Sequence, residues 1–196
     1  MTRIATIIAL CLTLALPALS SASTWGIDPD HSTIGFKAKH LMVSSVNGVF
    51  LKHSGEVSIN DNDITKSKVE ISIDTNSIST NVQKRDEHLR SADFFDVAKY
   101  PAMTFVSKKV AKAGKNKLKV TGDLTLHGVT KEVVLDVEGP SKESKDPWGG
   151  IRKGAVATTK INRKDFGLVW NKSLETGGVL VGDEILIKLE IEMVRK

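Results

Sequence analysis

The sequence predicts an all-β protein, an antiparallel barrel of about eight strands with one short helix near residues 81–91. Apolar and polar side chains alternate with a period of two along most of the chain, which is typical of an antiparallel sheet with one solvated face. Such a sheet must bury its apolar face, and one short helix is too small to cover it. We therefore expect the sheet to close into a barrel that encloses side chains or one small ligand.

The predicted strands follow from this alternation, which is clearest near the C-terminus. There Ile187, Leu189 and Ile191 alternate with Lys188, Glu190 and Glu192. The dipeptide His127-Gly128 separates two alternating runs and predicts a tight hairpin. The predicted strands are 32–40, 46–59, 68–74, 102–110, 117–126, 132–138, 151–161 and 184–193.

The segment before Pro101 departs from the strand pattern. Thr80 is followed three residues later by Gln83, which is a capping-box pattern, and residues 82–91 show no alternation. These signals predict a helix of about ten residues that ends before the chain returns to an extended conformation ahead of Pro101.

The N-terminus predicts a cleaved secretion signal. Arg3 precedes an apolar run over residues 4–16, and small residues at 20–22 suit signal peptidase. The run is shorter than the ~20 residues that a membrane-spanning helix needs. We expect a signal peptide over residues 1–22 with cleavage after Ala22, a single domain over residues 23–196, and a location in the periplasm. The chain's one cysteine, Cys11, lies in this signal, so the exported domain has no thiol for a disulfide or a thiolate metal site.

The sequence lacks the common catalytic motifs, which predicts a binding protein rather than an enzyme. The chain has no GxSxG, HExxH, P-loop, GxGxxG or CxxC motif, so we expect no catalytic residue and no cofactor. The five histidines show no spacing typical of metal ligands, although a metal site assembled from separate strands stays open.

Positive charge does not point to nucleic acid. The formal net charge is +5, and six lysines lie between residues 108 and 119. That run contains no aromatic side chain for base stacking and no arginine, so a solvated hairpin is the favoured interpretation. Transient contact with an anionic membrane surface is a second interpretation.

The apolar faces of the predicted strands should form the barrel interior and, if the barrel holds a ligand, the ligand-binding wall. A shift of one residue would move each of these side chains to the solvent face, so the register is strongly specified. The predicted lumen residues are Ile34, Phe36, Ile71, Ile73, Phe105, Leu124, Leu126, Leu135, Ile187 and Leu189.

The segment at the end of the predicted helix has two open interpretations. It brings Arg85, His88 and Arg90 close in sequence to Phe94 and Phe95. In one interpretation these residues form a barrel mouth that binds the polar head of a long ligand. In the other, the phenylalanines plug the barrel and the arginines pair with nearby aspartates.

Several blocks together resemble the YceI-like family in order and spacing. They are WGIDPDHSTIGFKAKHL, RDEHLRSADFFDVAKYPAMTF, VTGDLTLHGVTKEVVLDVEG, DPWGG and ETGGVLVGDEILIKLEIE, and they cover nearly the whole chain after the signal. The resemblance implies a periplasmic, lipocalin-like antiparallel barrel with a long hydrophobic tunnel. It also implies a bound polyisoprenoid, such as an isoprenoid quinone or a polyprenyl phosphate, and no established catalytic activity.

Isoprenoid binding, with transport or storage, has two alternatives: an enzyme that acts on a lipid, and a binder of fatty-acid-type amphiphiles. A hydrolase or another enzyme that acts on a lipid would need a nucleophile with a base, or a metal with an open position. A binder of fatty-acid-type amphiphiles would have the same apolar lumen. An outer-membrane barrel is rejected, because the faces opposite the apolar ones carry Lys, Glu and Asp.

Overall fold

A computed structural model describes residues 22–175 and 177–196; the predicted signal peptide up to residue 21 lies outside them. Within these ranges the chain forms one sheet of twelve strands and one α-helix, α1 (Gln83–Arg90). The strands are β1 (Ala22–Ile27), β2 (Thr33–His40), β3 (Ser44–Phe50), β4 (His53–Asn60), β5 (Lys68–Asp74), β6 (Ile78–Ser79), β7 (Ala102–Gly114), β8 (Lys117–Leu126), β9 (Val129–Glu138), β10 (Ser144–Lys145), β11 (Ile151–Asn162) and β12 (Val181–Arg195).

The sheet closes on itself, which confirms the predicted barrel. In the described part of the chain, eight antiparallel strands form the ring in the order β12, β1, β4, β5, β7, β8, β9 and β11, and β11 pairs again with β12. β2 and β3 extend the ring at the end that carries α1, where β2 pairs with β12 and β3 pairs with β2. We call this end the top of the barrel.

The prediction of one continuous strand over 46–59 is wrong, because β3 and β4 are separated at Leu51 and Lys52. The backbone amide of Leu51 donates to the carbonyl of Ser77 at 3.1 Å, and that of Lys52 donates to the Ser77 hydroxyl at 3.0 Å. Strand pairing is therefore interrupted at these two residues, and β4 pairs with other strands than β3 does. β1, which pairs with β4 and β12, was not predicted.

The helix is present, but its predicted capping box is wrong. α1 begins after Val82, whose side chain makes no capping hydrogen bond. Asn81 has a left-handed backbone conformation, with φ of 60°, which turns the chain between Thr80 and the helix. The Thr80 amide and hydroxyl instead donate to Oδ1 of buried Asp86, at 2.8 and 2.5 Å.

The bottom of the barrel is closed by a small cluster of Trp25, Ile59 and Met193. Trp25 is fully buried, and its indole Nε1 donates to the Ser23 hydroxyl at 2.8 Å. Because a buried indole N–H has found its acceptor, this aromatic side chain can seal the interior without an unpaired polar atom.

None of the helices in the described ranges has the length and apolar character needed to cross a membrane.

Candidate functional site

The top half of the barrel encloses an apolar cavity of about 150 Å³, which we call the upper cavity. Strand pairing builds its wall: Ile71 of β5 lies opposite Phe105 of β7, which lies opposite Leu124 of β8. Partners in register point to the same face of an antiparallel sheet. The structure places all ten predicted lumen residues in this wall, namely Ile34, Phe36, Ile71, Ile73, Phe105, Leu124, Leu126, Leu135, Ile187 and Leu189. That they bind a ligand stays a prediction.

A lower cavity of about 100 Å³ lies beneath the upper one and was not predicted. Its floor includes Ile59 and Met193 of the cluster that closes the barrel bottom. Three side chains, those of Ile71, Leu135 and Leu189, line both cavities. The interior is therefore two apolar compartments stacked end to end.

Residues from α1 and the segment after it cover the upper cavity. Leu89, Phe94 and Phe95 all line it. The Phe95 ring meets Phe50 of β3 edge to face, with 5.6 Å between ring centroids. This places both predicted phenylalanines at the top of the cavity.

A second segment, residues 163–170, covers the same opening from the other side. Leu168 lines the cavity, and Trp170 packs against Phe94 with 5.1 Å between ring centroids. The His88 ring meets Phe94 and Trp170 edge to face, at 5.0 and 4.7 Å. His88, Phe94 and Trp170 thus form an aromatic seam between the two covering segments.

The predicted arginines do not reach the cavity wall. Arg85 donates from Nε to the Thr80 hydroxyl at 2.7 Å and from Nη2 to the Thr80 carbonyl at 3.0 Å. Arg90 donates to the carbonyls of Asn76 and Ile78 at 2.8 and 2.7 Å. Both side chains tie α1 to the strand segment before it.

Arg85 and Arg90 also do not form the ion pairs with nearby aspartates that the second interpretation predicted. Asp86 accepts from Thr80, as described above, and Oδ2 of Asp93 lies 2.8 Å from Nε2 of His88. His88 itself does not line the cavity. The structure therefore brings Phe94 and Phe95 into the upper cavity and leaves Arg85, His88 and Arg90 outside its wall.

Arg163 is a cavity-lining residue that sequence reasoning missed. Its side chain is buried, with 4% exposed, and it lines the upper cavity. It donates to the carbonyls of Gly182 at 3.0 Å and Trp170 at 2.9 Å, to the carbonyl of Leu168, and to Oδ1 of Asp183 at 3.3 Å. Burial lowers the pKa of Arg163, and the nearby Asp183 carboxylate partly offsets that effect. The guanidinium fastens the covering segment to the start of β12.

His53 is a second residue without a sequence signal. It lies opposite Ile73 in the β4–β5 pair, so its ring shares the lumen side of the sheet. The side chain is 9% exposed, and among the described residues neither ring nitrogen has a hydrogen-bond partner. Buried polar atoms are normally paired, so His53 is an exception that calls for an experiment.

The described residues also contain one cluster with metal-ligand chemistry, at the outer surface. Ligand atoms of Asp28, His31 and Glu192 lie within 4.8 Å of one another. Arg152 Nη1 already lies 2.6 Å from Oδ2 of Asp28 and also pairs with Glu192. Arg152, and after it His31, hold the pKa of Asp28 at about 2, below its ordinary 3.8. The cluster is an ion-pair network in which arginine supplies the positive charge.

Comparison with known proteins identifies the family. A family model for the YceI-like domain matches residues 25–193. The chain belongs to the YceI-like family. A relative from Vibrio parahaemolyticus, a UPF0312 protein, is 44% identical over 159 residues, which are 80% of this chain and 84% of the relative.

Solved structures of other YceI-like and related proteins have the same fold. The YCEI protein of Campylobacter jejuni matches with a TM-score of 0.69 at 36% identity, over 81% of this chain and 90% of that one. A polyisoprenoid-binding domain from Saccharophagus degradans matches with a TM-score of 0.64 at 17% identity, over 88% of this chain and 98% of that one. At that identity the second likeness concerns the fold.

Proposed function

We propose that this YceI-like protein binds a long-chain isoprenoid lipid inside its barrel and carries or stores it in the periplasm. The observation that carries the proposal is the pair of stacked apolar cavities, closed at the bottom and covered at the top. The fold likeness to a polyisoprenoid-binding domain supports the same class of ligand. The periplasmic location rests on the sequence of residues 1–22.

Burial of an apolar chain supplies the binding energy in this account. Each CH₂ group removed from water contributes ~0.8 kcal/mol, so several isoprene units outweigh the cost of association. Among the described residues that line the two cavities, the side chains with nitrogen or oxygen atoms are Ser67, Thr159 and Arg163. The wall therefore favours a hydrocarbon chain along nearly its whole length.

The polar head of the lipid belongs at the top of the barrel. An unpaired polar group costs several kcal/mol when it is buried in an apolar site. The donors of Arg163 are already used by carbonyls and a carboxylate. We infer that the head lies at the aromatic seam of His88, Phe94 and Trp170, where His88 is partly exposed. Arg85 and Arg90 act there through their positive charge, because the hydrogen bonds of their Nε and Nη2 atoms hold the guanidinium groups outside the cavity wall.

Binding is favoured over catalysis by the chemistry of the wall. A lipid hydrolase needs a nucleophile with a base, or a metal with an open position, next to the ligand. In the described wall, Ser67 and Thr159 are the hydroxyl side chains, and no histidine or carboxylate lines either cavity. We infer a binding protein for an amphiphile.

Rebinding by delipidated protein tests this proposal. Wild type is titrated with an isoprenoid quinone, a polyprenyl phosphate and a straight-chain fatty acid, and binding is followed by calorimetry. Leu126→Gln places an unpaired polar group in the upper cavity, and we expect it to weaken isoprenoid binding at least tenfold. Lys119→Ala, on the outer face where Lys119 pairs with Asp136 at 2.7 Å, is the matched control and should bind like wild type.

The outcomes separate the alternatives. Tighter binding of the fatty acid than of either isoprenoid would assign the barrel to fatty-acid-type amphiphiles. A folded wild type that takes up no lipid from any of the three classes would contradict the proposal.

A further inference from the structure

We propose that Ile71, Leu135 and Leu189 form a collar that makes lipid binding depend on tail length. The inference rests on the proposed function and assigns chain-length specificity to three residues of the same lumen. Each of the three side chains is buried, and each lines both the upper and the lower cavity. They therefore mark the level at which one compartment passes into the other.

Strand order distributes the collar around the barrel. Leu189 lies on β12, Ile71 on β5 and Leu135 on β9. Around the ring of eight strands, β5 is three steps from β12, β9 is three steps from β5, and β12 is two steps from β9. Three branched side chains thus approach the barrel axis from nearly evenly spaced directions, which narrows the passage from all sides.

Small residues lie beside two of the collar side chains. Gly55 is the register partner of Ile71, and Ala157 is the register partner of Leu189. A Cβ atom at Gly55 would lie 2.5 Å from a backbone oxygen of Glu70, so this position has no room for a side chain. The same Cβ position would lie 2.9 Å from Cδ1 of Ile27, and Phe105 and Ile34 are the register partners of Ile71 and Leu189 on their other sides. The collar side chains are therefore packed in place, and the passage between them has a fixed width.

The two compartments then accept a tail in stages. A short tail fills the upper cavity alone and does not touch the lower wall. A longer tail gains further apolar contact only after it has passed the collar, and its end stops at the cluster of Trp25, Ile59 and Met193. Affinity should therefore rise with tail length, level off at the collar, rise again, and level off when the lower cavity is full.

The collar is tested with a series of isoprenoid quinones. The members of the series share one head group and differ in the number of isoprene units. Dissociation constants are measured by calorimetry for wild type, Leu135→Phe and Val133→Phe. Val133 is the matched control, because it lies on the same strand and face and lines only the upper cavity. A larger side chain at the collar should weaken binding of the long-tailed members about tenfold and leave the shortest members within about twofold of wild type. Val133→Phe should weaken all members alike.

The alternative outcomes are distinct. Equal weakening of short and long tails by Leu135→Phe, or a wild-type affinity that rises smoothly with tail length, overturns the collar and leaves lipid binding intact. If Leu135→Phe does not fold, Leu135→Val provides the test from the opposite direction. It widens the passage and should remove the plateau at intermediate length, and a plateau that persists unchanged overturns the collar. Wild type that binds no quinone of any length contradicts the proposed function and the collar together.

Discussion

His88 and Trp170 meet edge to face with 4.7 Å between their ring centroids, and this contact joins the two segments that cover the barrel top. His88 comes from α1, and Trp170 comes from the segment that follows β11. If the proposed lipid enters and leaves through the top, we expect it to separate these rings. We therefore expect the strength of this contact to set the rate of ligand exchange.

Truncation at this seam should speed ligand release. In Trp170→Ala we expect faster dissociation of a bound isoprenoid quinone than in wild type, because an aromatic pair contributes ~0.5–1.5 kcal/mol beyond its buried area. Stopped-flow displacement measures the rate. Trp148→Ala is the control, since Trp148 is 88% exposed and should leave dissociation unchanged. Equal rates in wild type and Trp170→Ala would mean that the ligand uses another exit.

Loss of the buried guanidinium should destabilise the whole domain. Arg163→Met keeps an apolar stem but leaves the carbonyls of Leu168, Trp170 and Gly182 without their donor. We expect the free energy of unfolding in urea to fall by about 3 kcal/mol or more, because unpaired buried acceptors are costly. Lys160→Met, at an exposed position, is the control. A change under about 1 kcal/mol for Arg163→Met would show that the cover does not depend on this residue.

Removal of the unpaired His53 imidazole should not lower the free energy of unfolding, in contrast to removal of the Arg163 guanidinium. Replacement of an unsatisfied buried polar group by an apolar one of similar size removes a desolvation cost. We expect His53→Leu to leave the free energy of unfolding unchanged or to raise it by up to about 2 kcal/mol. Destabilisation by more than about 1 kcal/mol would indicate that His53 has a hydrogen-bond partner in solution, such as an ordered water molecule.

The surface ion pair between Asp28 and Arg152 predicts how the free energy of unfolding depends on pH. The folded-state pKa of Asp28 is about 2, against an ordinary value of 3.8, and its hydrogen bond to Arg152 is the main cause. Since the native carboxylate resists protonation, its contribution to stability is present above pH 3.8 and is lost as the pH falls toward about 2. Urea unfolding at several pH values should show this loss in wild type and a shallower loss in Arg152→Met. Parallel pH profiles of the two proteins would contradict this assignment.

Export is tested by the N-terminus of the mature protein. The signal predicted for residues 1–22 leads us to expect that protein recovered from the periplasm begins at Ser23. N-terminal sequencing checks this, and an exported protein that retains Met1 would contradict it.

Much of the barrel wall follows from local patterns in the sequence. Ile187 and Leu189 alternate with charged neighbours, and a period of two assigns their side chains to one face. Helix α1 was recognisable because the alternation stops there. Such signals lie within a few residues of one another, and this is why they can be read before the fold is known.

The remaining features depend on contacts between distant segments. Arg163 looks like a surface residue in the sequence RKDF, and it is buried because residues 168–170 and 181–183 lie around its side chain. Thr80 has the sequence of a helix cap, but the chain makes a left-handed turn at Asn81 before the helix begins. The amide and hydroxyl of Thr80 therefore donate to the Asp86 carboxylate instead of capping the helix. The collar could not be predicted either, because it requires the order of strands in the closed ring.

We propose that the lumen holds an isoprenoid lipid, and the lipid content of the purified protein is the sharpest test of this proposal. Protein is isolated from its native cells without detergent and extracted with organic solvent, and the lipid in the extract is quantified by mass spectrometry against the molar amount of protein. We expect one predominant class of molecule with an isoprenoid chain, close to one per barrel. An extract of wild-type protein that contains no lipid, or only straight-chain fatty acids, would contradict it.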